Sequence, residues 1–357
     1  MLDLFAGAGG LSAGLRMGDS RFGTARAVES DLEAAASYAA NFGDNVVYAG
    51  TIEDWLLHEE VPQVDLVVGG PPCQGFSQLG KRDVDDVRNT LWQQYVETVS
   101  LARPKAFVME NVPQFLKSPQ FPIFAAAFER GGRLQDFRFE AAVLNAAAYG
   151  APQARRRVVV VGVRRDVGLP SLPSPPMLTP AMTVREAFAG PAGFRPIPEH
   201  VPAMAVDLPD TSMSFGGRVL RGPYAASELH FARSYTELSL RRFAAIPPGG
   251  NRFDLPDELQ APCWRKHRSG AGDVMGRLSW DKPSVTIRTE FFKPEKGRYL
   301  HPTQPRAITH FEAARLQGFA DHHEFVGSKT AIARQIGNAV PLALGAALGA
   351  HLGPIIS

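Results

Sequence analysis

Over the first 165 residues short apolar runs alternate with amphipathic stretches, and this rhythm leaves few architectures open. The runs are Leu2 to Phe5, Thr24 to Val28, Val64 to Val68, Ala106 to Met109, Phe137 to Val143 and Val158 to Val163; helical patterns such as Asp31 to Asn41 and Thr90 to Leu101 fall between them. Strands that alternate with helices pack as a doubly wound, mostly parallel sheet, because a parallel return needs a crossover that a helix supplies. The expected fold class is therefore α/β, with a doubly wound sheet. The texture then changes. Nine prolines lie between Pro170 and Pro202; proline lacks a backbone donor and fixes φ, so neither a central strand nor a long helix fits there and a boundary is expected. From about 205 to 305 the chain is Gly/Pro-rich and basic without a sustained period, which predicts a smaller, loop-rich second domain. Helical character is expected to resume in Gln335 to Leu352, after Gly337-Asn338.

Composition sets outer bounds. A chain of 357 residues with 45% hydrophobic and 21% charged residues has ample material for a core and gives no case for wholesale disorder. Two cysteines, Cys73 and Cys263, cannot build a disulfide framework, and neither has companions at metal-ligand spacing, so no metal and a reducing, cytoplasmic setting are expected. The start lacks a basic n-region, and the apolar tail from Leu342 to Ile356 is broken by His351 and several glycines, so neither a signal peptide nor a membrane span is expected. Charge is unevenly spread. Of 38 Lys+Arg and 36 Asp+Glu, residues 1–150 hold 12 and 19, leaving 26 and 17 for residues 151–357. A basic second half suits a polyanion, although a solvated basic face would look the same.

The first strand runs directly into Asp3-Leu4-Phe5-Ala6-Gly7-Ala8-Gly9-Gly10 and a helical pattern follows from Leu11, so backbone amides at a helix start can approach a ligand closely. Glu29 ends the second strand, where an acid can accept hydrogen bonds from ribose hydroxyls. These residues alone leave NAD, FAD and S-adenosylmethionine open. Pro71-Pro72-Cys73-Gln74-Gly75 places a thiol just beyond the carboxyl end of a buried strand, and Glu110-Asn111-Val112 places a carboxylate at the end of the next. A cap role for Glu110 or Asn111 is the simpler alternative; convergence with Cys73 disfavours it. In Gln153-Ala154-Arg155-Arg156-Arg157 an extended backbone would turn Gln153, Arg155 and Arg157 to one face and Arg156 to the other. Two guanidiniums near a thiol and a carboxylate suit an electron-rich ring or a phosphate.

Taken in order, Asp3 to Gly10, Pro72-Cys73-Gln74, Glu110-Asn111-Val112, Gln153-x-Arg155-x-Arg157, Arg277-Leu278 through Pro283-Ser284-Val285-Thr286, and Gln335-Ile336-Gly337-Asn338-Ala339-Val340-Pro341 resemble the motif series of DNA (cytosine-5) methyltransferases of the prokaryotic restriction-modification type. The resemblance spans nearly the whole chain. It implies a Rossmann-like methyltransferase sheet, with residues 1–168 and 305–357 as the catalytic, cofactor-binding domain and residues 169–304 as the target recognition domain. It implies that Cys73 attacks C6 of a flipped-out cytosine, that Glu110 hydrogen-bonds N3 once protonated through burial, and that Arg155 and Arg157 offset charge near O2.

For S-adenosylmethionine, leaving as S-adenosylhomocysteine, the resemblance points to Phe5, Ala6, Gly7, Gly9, Gly10, Glu29, Thr51, Ile52, Pro71, Leu91, Asn338 and Ala339. Gln74, Ser77, Arg218, Arg221, Arg241, Arg242, Arg252, Arg265, Lys266 and Arg268 are the candidate contacts to double-stranded DNA. Two departures stand out. Thr51 occupies the position where the family usually carries an Asp for the adenine amino group, which predicts weaker cofactor binding. Only Met1 and Leu2 precede Asp3, so the first strand should be short. The implied enzyme is a monomer associated with the nucleoid, sharing its site with a restriction endonuclease without a stable complex. Rival readings are an RNA cytosine-5 methyltransferase on the same fold, an inactive DNA-binding paralogue, and a nicotinamide oxidoreductase, the last explaining only Gly7 to Glu29.

Overall fold

The apolar runs become strands of one seven-stranded sheet in the order β3-β2-β1-β4-β5-β8-β6. In this computed structural model residues 1–72, 91–176, 180–191, 194–199, 201, 208–266 and 272–356 are described. The strands are β1 (Leu2–Leu4), β2 (Arg26–Glu29), β3 (Val47–Ala49), β4 (Leu66–Gly69), β5 (Ala106–Asn111), β6 (Phe137–Asn145) and β8 (Arg156–Arg164), with β7 (Gln153–Ala154) lying outside this sheet. β8 runs antiparallel to both its neighbours, and the other pairs are parallel. β3 is an addition to the strands expected from the sequence: three residues with only Val47 buried give no apolar run to notice.

Helices α1 (Gly10–Gly18), α2 (Leu32–Phe42), α3 (Ile52–His58), α4 (Leu91–Ala102) and α5 (Gln120–Ala126) accompany the strands. After β1 the chain builds outward to β2 and β3, then returns to place β4 on the other side of β1. This reversal creates a switch point at which the carboxyl ends of β1 and β4 lie side by side, with Leu4 opposite Gly69. The core beneath is made by Leu2, Leu4, Val67, Phe107, Met109, Val158 and Val160 with Trp55, Trp92, Tyr95, Phe115, Phe124 and Phe128. Each such side chain contributes roughly 1.5–3 kcal/mol on burial.

Two compact units divide the chain: Met1–Tyr149 with Arg156–Thr179 and Val340–Ser357, and Gly150–Arg155 with Pro180–Ala339. The last helix, α11 (Leu342–Ile356), belongs to the first unit, where it packs on α1. The approach is close because the contact is made of glycines. A Cβ on Gly14 would sit 2.7 Å from the carbonyl of Leu342 and 2.8 Å from Cα of Gly345. The helix expected after Gly337-Asn338 is α11, which begins at Leu342. Gln335 to Asn338 form the last turn of α10 (Lys329–Asn338), whose start is capped by Ser328, and a break at Ala339-Val340-Pro341 precedes α11. Proline lacks the N–H needed to continue the first helix, yet it fits the start of the next.

The second unit holds short elements: helices α6 (Val184–Ala189), α7 (Glu237–Ala245), α8 (Pro262–Lys266), α9 (His310–Gln317) and α10, and three two-stranded ladders. The ladders are β9 (Ser212–Phe215) with β10 (Arg218–Arg221), β11 (Tyr224–Ala225) with β13 (Glu324–Phe325), both antiparallel, and β7 parallel to β12 (Ser284–Val285). A small core of Phe243, Ile246, Leu255, Leu259, Met275 and Leu300 is supplemented by buried polar groups. Arg277, for example, donates to the carbonyls of Ile246, at 2.8 Å, and Gln304, at 2.9 Å. In a unit so poor in regular ladders, such bonds satisfy loop carbonyls that would otherwise be buried unpaired. Among the described residues no single helix is long and apolar enough to cross a membrane.

Candidate active site

At the carboxyl end of β1 the chain turns sharply through Phe5 (φ 55°), Gly7 (φ 55°) and Gly9 (φ 83°) before α1 begins at Gly10. Left-handed backbone suits glycine and strains phenylalanine, so Phe5 is held against its local preference, as residues at ligand-binding turns often are. A Cβ built on Gly7 meets nothing within 4 Å, which leaves open space against the loop. Glu29, at the end of β2, fixes that loop: its Oε2 accepts from Gly7 N–H at 2.8 Å and its Oε1 from Asp31 N–H at 2.8 Å. Burial pushes its carboxyl above the ordinary glutamate range, partly opposed by these N–H donors. Behind the loop a buried chain of hydrogen bonds links Ser12 Oγ to Asp3 Oδ2 (2.6 Å) and to Tyr38 OH (2.7 Å), which meets Thr24 Oγ1 (2.9 Å). Burial raises the Asp3 carboxyl to about 7.

Thr51 is exposed and serves as the N-cap of α3, its hydroxyl accepting from Asp54 N–H at 3.2 Å. Ile52 is buried beside it. Asp is as good an N-cap as Thr, so the cap role is one that either residue can fill. Gly50 N–H donates to Glu29 O at 2.9 Å, which ties this turn to the end of β2.

The ends of β4 and β5 are joined through Asn111. Its Nδ2 donates to the carbonyl of buried Pro71 at 3.1 Å, and its Oδ1 accepts from Val112 N–H at 2.7 Å. This holds the backbone at Pro71-Pro72, immediately before Cys73. Asn111 therefore has a positioning role that the sequence reading did not single out. Glu110 forms an ion pair with Arg157, Oε1 to Nε at 2.7 Å, both side chains largely shielded from solvent. A side chain at Gly70 would press on Glu110 Oε2 at 3.0 Å, so the glycine leaves room beside the carboxylate. Leu91 starts α4 and is half-buried. Cys73, Gln74 and Ser77 lie outside the described residues.

In the second unit, Gln153 and Arg155 are buried while Ala154 is exposed, as an extended chain requires; in the first, Arg156 is exposed and Arg157 half-buried. Arg155 donates from Nη1 to Ile287 O (2.8 Å) and from Nη2 to Gly337 O (2.9 Å). Gln153 donates to Gln317 Oε1 (2.9 Å) and Leu316 O (3.2 Å) and accepts from Ile287 N–H (2.9 Å), while Gln317 donates to Ile336 O. This network grips the last turn of α10, leaving Asn338 exposed at its end and Ala339 half-buried after it. Gln317 was not anticipated. A signal existed nearby, because Thr309-x-x-Glu312 forms a capping box at the start of α9, whose Glu312 also pairs with Arg306 at 2.6 Å.

The basic DNA candidates are placed unequally. Arg218, Arg221, Arg241 and Arg265 are exposed, Arg242 is half-buried, and Arg252 is buried beside Phe253. Arg242 Nε donates to Leu259 O at 2.7 Å and Arg265 Nη2 to Asp257 O at 2.7 Å. Lys266 ends α8, and Arg268 lies outside the described residues.

The family model for C-5 cytosine-specific DNA methylase matches residues 1–353. The chain belongs to that family. The methylase is 34% identical over 98% of its length to the Type II methyltransferase M.XorII of Xanthomonas oryzae, covering 84% of that protein. It is also 34% identical over 97% of its length to the Type II methyltransferase M1.HphI of Haemophilus parahaemolyticus, covering 84% of it. Among solved structures, a protein assigned as a DNA modification methyltransferase encoded within an E. coli prophage superposes with a TM-score of 0.72 at 25% identity, covering 99% of this chain and 98% of the other. The S. pombe Dnmt2 methyltransferase shares the fold, with a TM-score of 0.55 at 15% identity, covering 99% of this chain and 98% of that one. The protein is thus a DNA (cytosine-5) methyltransferase on a Rossmann-like sheet, with DNA as its substrate and the S-adenosylmethionine dependence general to its family. The readings as an RNA enzyme, an inactive paralogue or a nicotinamide oxidoreductase give way to this one.

Proposed function

We propose that the methylase modifies one cytosine within a short duplex sequence, with Cys73 as nucleophile and Glu110 and Arg157 as the groups that make the ring attackable. The Glu110–Arg157 pair carries this reading, because it sets a carboxyl group and a guanidinium together at the carboxyl edge of the sheet that also bears the glycine loop. Cytosine is a poor electrophile. Attack of a thiolate on C6 pushes an electron pair toward C5 and N3, so a proton delivered to N3 and a guanidinium near O2 lower the barrier. The target atoms are inaccessible in a stacked duplex, and flipping the nucleotide costs a few kcal/mol. Once C5 carries the methyl group, loss of its proton and expulsion of the Cys73 thiolate restore the ring.

Arg155 is assigned a positioning role, since both its terminal nitrogens already serve backbone carbonyls. The residues of the first unit fit the cofactor: Phe5 to Gly10 offer an open backbone turn at a helix start, and Glu29 retains lone pairs for ribose hydroxyls. Thr51, Ile52, Pro71 and Leu91 complete the proposed set in this unit; Asn338 and Ala339 are proposed for the cofactor on the motif resemblance. S-adenosylmethionine supplies an electrophilic methyl group when bound; its sulfonium needs no metal to activate it. Target recognition is proposed for residues 169–304. A monomer in the cytoplasm, acting at the nucleoid on the same site as a restriction endonuclease, completes the reading, in keeping with relatives named Type II methyltransferases. Expression in a host lacking cytosine methylation, with Cys73→Ala alongside, tests it by bisulfite sequencing. Protected cytosines in one short motif, absent from the variant, are expected; protection that survives Cys73→Ala would remove Cys73 from the mechanism.

A further inference from the structure

We propose that the hairpin of β9 and β10 reads base edges of the target DNA through its outward face, Ser212, Ser214, Val219 and Arg221; this rests on the DNA-methylase reading above. Gly216 (φ 55°) and Gly217 (φ 72°) form the two-residue turn, both in the left-handed backbone that tight hairpins require. A Cβ on Gly217 would meet nothing within 4 Å, so the tip stands clear.

The two faces of the ribbon differ. Met213, Phe215 and Leu220 are half-buried, whereas Ser212, Ser214, Val219 and Arg221 are all exposed, Val219 at 75%. Pairing sets Val219 opposite Ser214 and Arg221 opposite Ser212, which makes the outward face a compact set of two hydroxyls, one apolar branch and one guanidinium. The base of the ribbon is rigid. Gly222 N–H donates to Thr211 O (2.9 Å), Gly327 N–H donates to Arg221 O (2.8 Å), and fully buried Tyr224 pairs with Phe325 while its hydroxyl donates to Pro209 O (3.1 Å).

Duplex DNA fits this surface on size and on chemistry. Two paired strands lie about 4.8 Å apart, a ribbon narrow enough for the ~12 Å major groove, which admits one. An element that only held phosphates would need cations and donors. An exposed valine between hydroxyls is instead the complement of base edges, its methyls suited to the thymine methyl and the hydroxyls to donors or acceptors alike. Arg218, exposed at the tip and without an ion pair among the described residues, adds the charge that draws the ribbon to the backbone. Of the other basic candidates, Arg242 and Arg265 are engaged within the unit through carbonyls and Arg252 through burial, while Arg241 is exposed.

The test is the methylated motif read by bisulfite sequencing for wild type, Ser214→Ala, Val219→Thr and Arg218→Ala, in a host without cytosine methylation. Val219→Thr keeps the shape and strand preference of the side chain, so it retains the fold. The expected result is that Ser214→Ala and Val219→Thr lose roughly 5- to 100-fold of discrimination at one or two positions of the motif, while other positions stay intact. Arg218→Ala is expected to lower methylation evenly across sites. An unaltered motif in both face variants, whatever the rate, would overturn base reading by the hairpin. A wild type that protects no cytosine would instead overturn the reading on which it rests.

Discussion

Arg157 Nε lies 2.7 Å from Glu110 Oε1, although the two residues are 47 positions apart in the chain. They meet because β5 and β8 are antiparallel neighbours, with Glu110 beside Val159 in the register. The contact uses one carboxylate oxygen and the guanidinium Nε, so it fixes both groups without using the second oxygen of Glu110. Glu110→Gln keeps a hydrogen-bond donor but cannot give a proton to N3, so it is expected to lower single-turnover methylation by roughly 100-fold or more, with S-adenosylmethionine affinity within about twofold of wild type. Equal losses in cofactor binding would place the pair in the cofactor site instead.

Thr51 caps α3, and Asp would cap it equally well. Thr51→Asp should therefore leave the melting temperature unchanged and tighten S-adenosylmethionine binding several-fold, whereas Thr51→Ala should cost about 1 kcal/mol of stability through the lost cap. Calorimetric titration of the cofactor beside thermal melts separates the two roles. No gain for Thr51→Asp would count against an adenine contact at this position.

Gln153 and Gln317 share one buried amide hydrogen bond of 2.9 Å, and each also serves backbone groups. Gln153→Leu strands Ile287 N–H and the Gln317 amide, so a loss of about 2–4 kcal/mol in urea denaturation is expected. The double variant with Gln317→Leu should cost about 1 kcal/mol less than the sum of the singles, because the second change removes a group the first left unpaired. Strict additivity would show that the two amides act independently.

Asp3 has a folded-state value of about 7 against an ordinary 3.8, the difference coming first from burial. The folded chain thus retains a proton that the unfolded chain gives up. This contribution to stability is complete below about pH 4 and is lost as pH rises through 7. Asp3→Asn should flatten the stability profile between pH 4 and 7, removing a slope worth on the order of 4 kcal/mol in all. Chemical denaturation across that range measures it, and parallel profiles for the two proteins would mean that Asp3 titrates normally.

The sheet was legible because its strands are apolar runs between turn signals: Val64 to Val68 and Val158 to Val163 are buried strands almost as read. β3 escaped notice, since Val47-Tyr48-Ala49 buries only one side chain and owes its strand geometry to pairing with β2. Helix α10 is a further addition to the elements expected from the sequence: Gly337-Asn338 precedes α11 as read, but it also ends a helix that Ser328 caps at its start.

By itself the sequence determined the kinds of chemistry present and their order along the chain, because a glycine turn after a strand, a thiol after Pro-Pro and a carboxylate at a strand end are local patterns. Tertiary structure decided which partners those groups have. Arg155 and Arg157 are two residues apart and identical in type, yet one is spent on the carbonyls of Ile287 and Gly337 and the other on Glu110. The outward face of the 212–221 hairpin likewise exists only once strand pairing has sorted alternate residues to opposite sides. Side-chain type is written residue by residue, whereas burial and pairing depend on contacts between segments far apart in the chain, and those are fixed only when the fold closes.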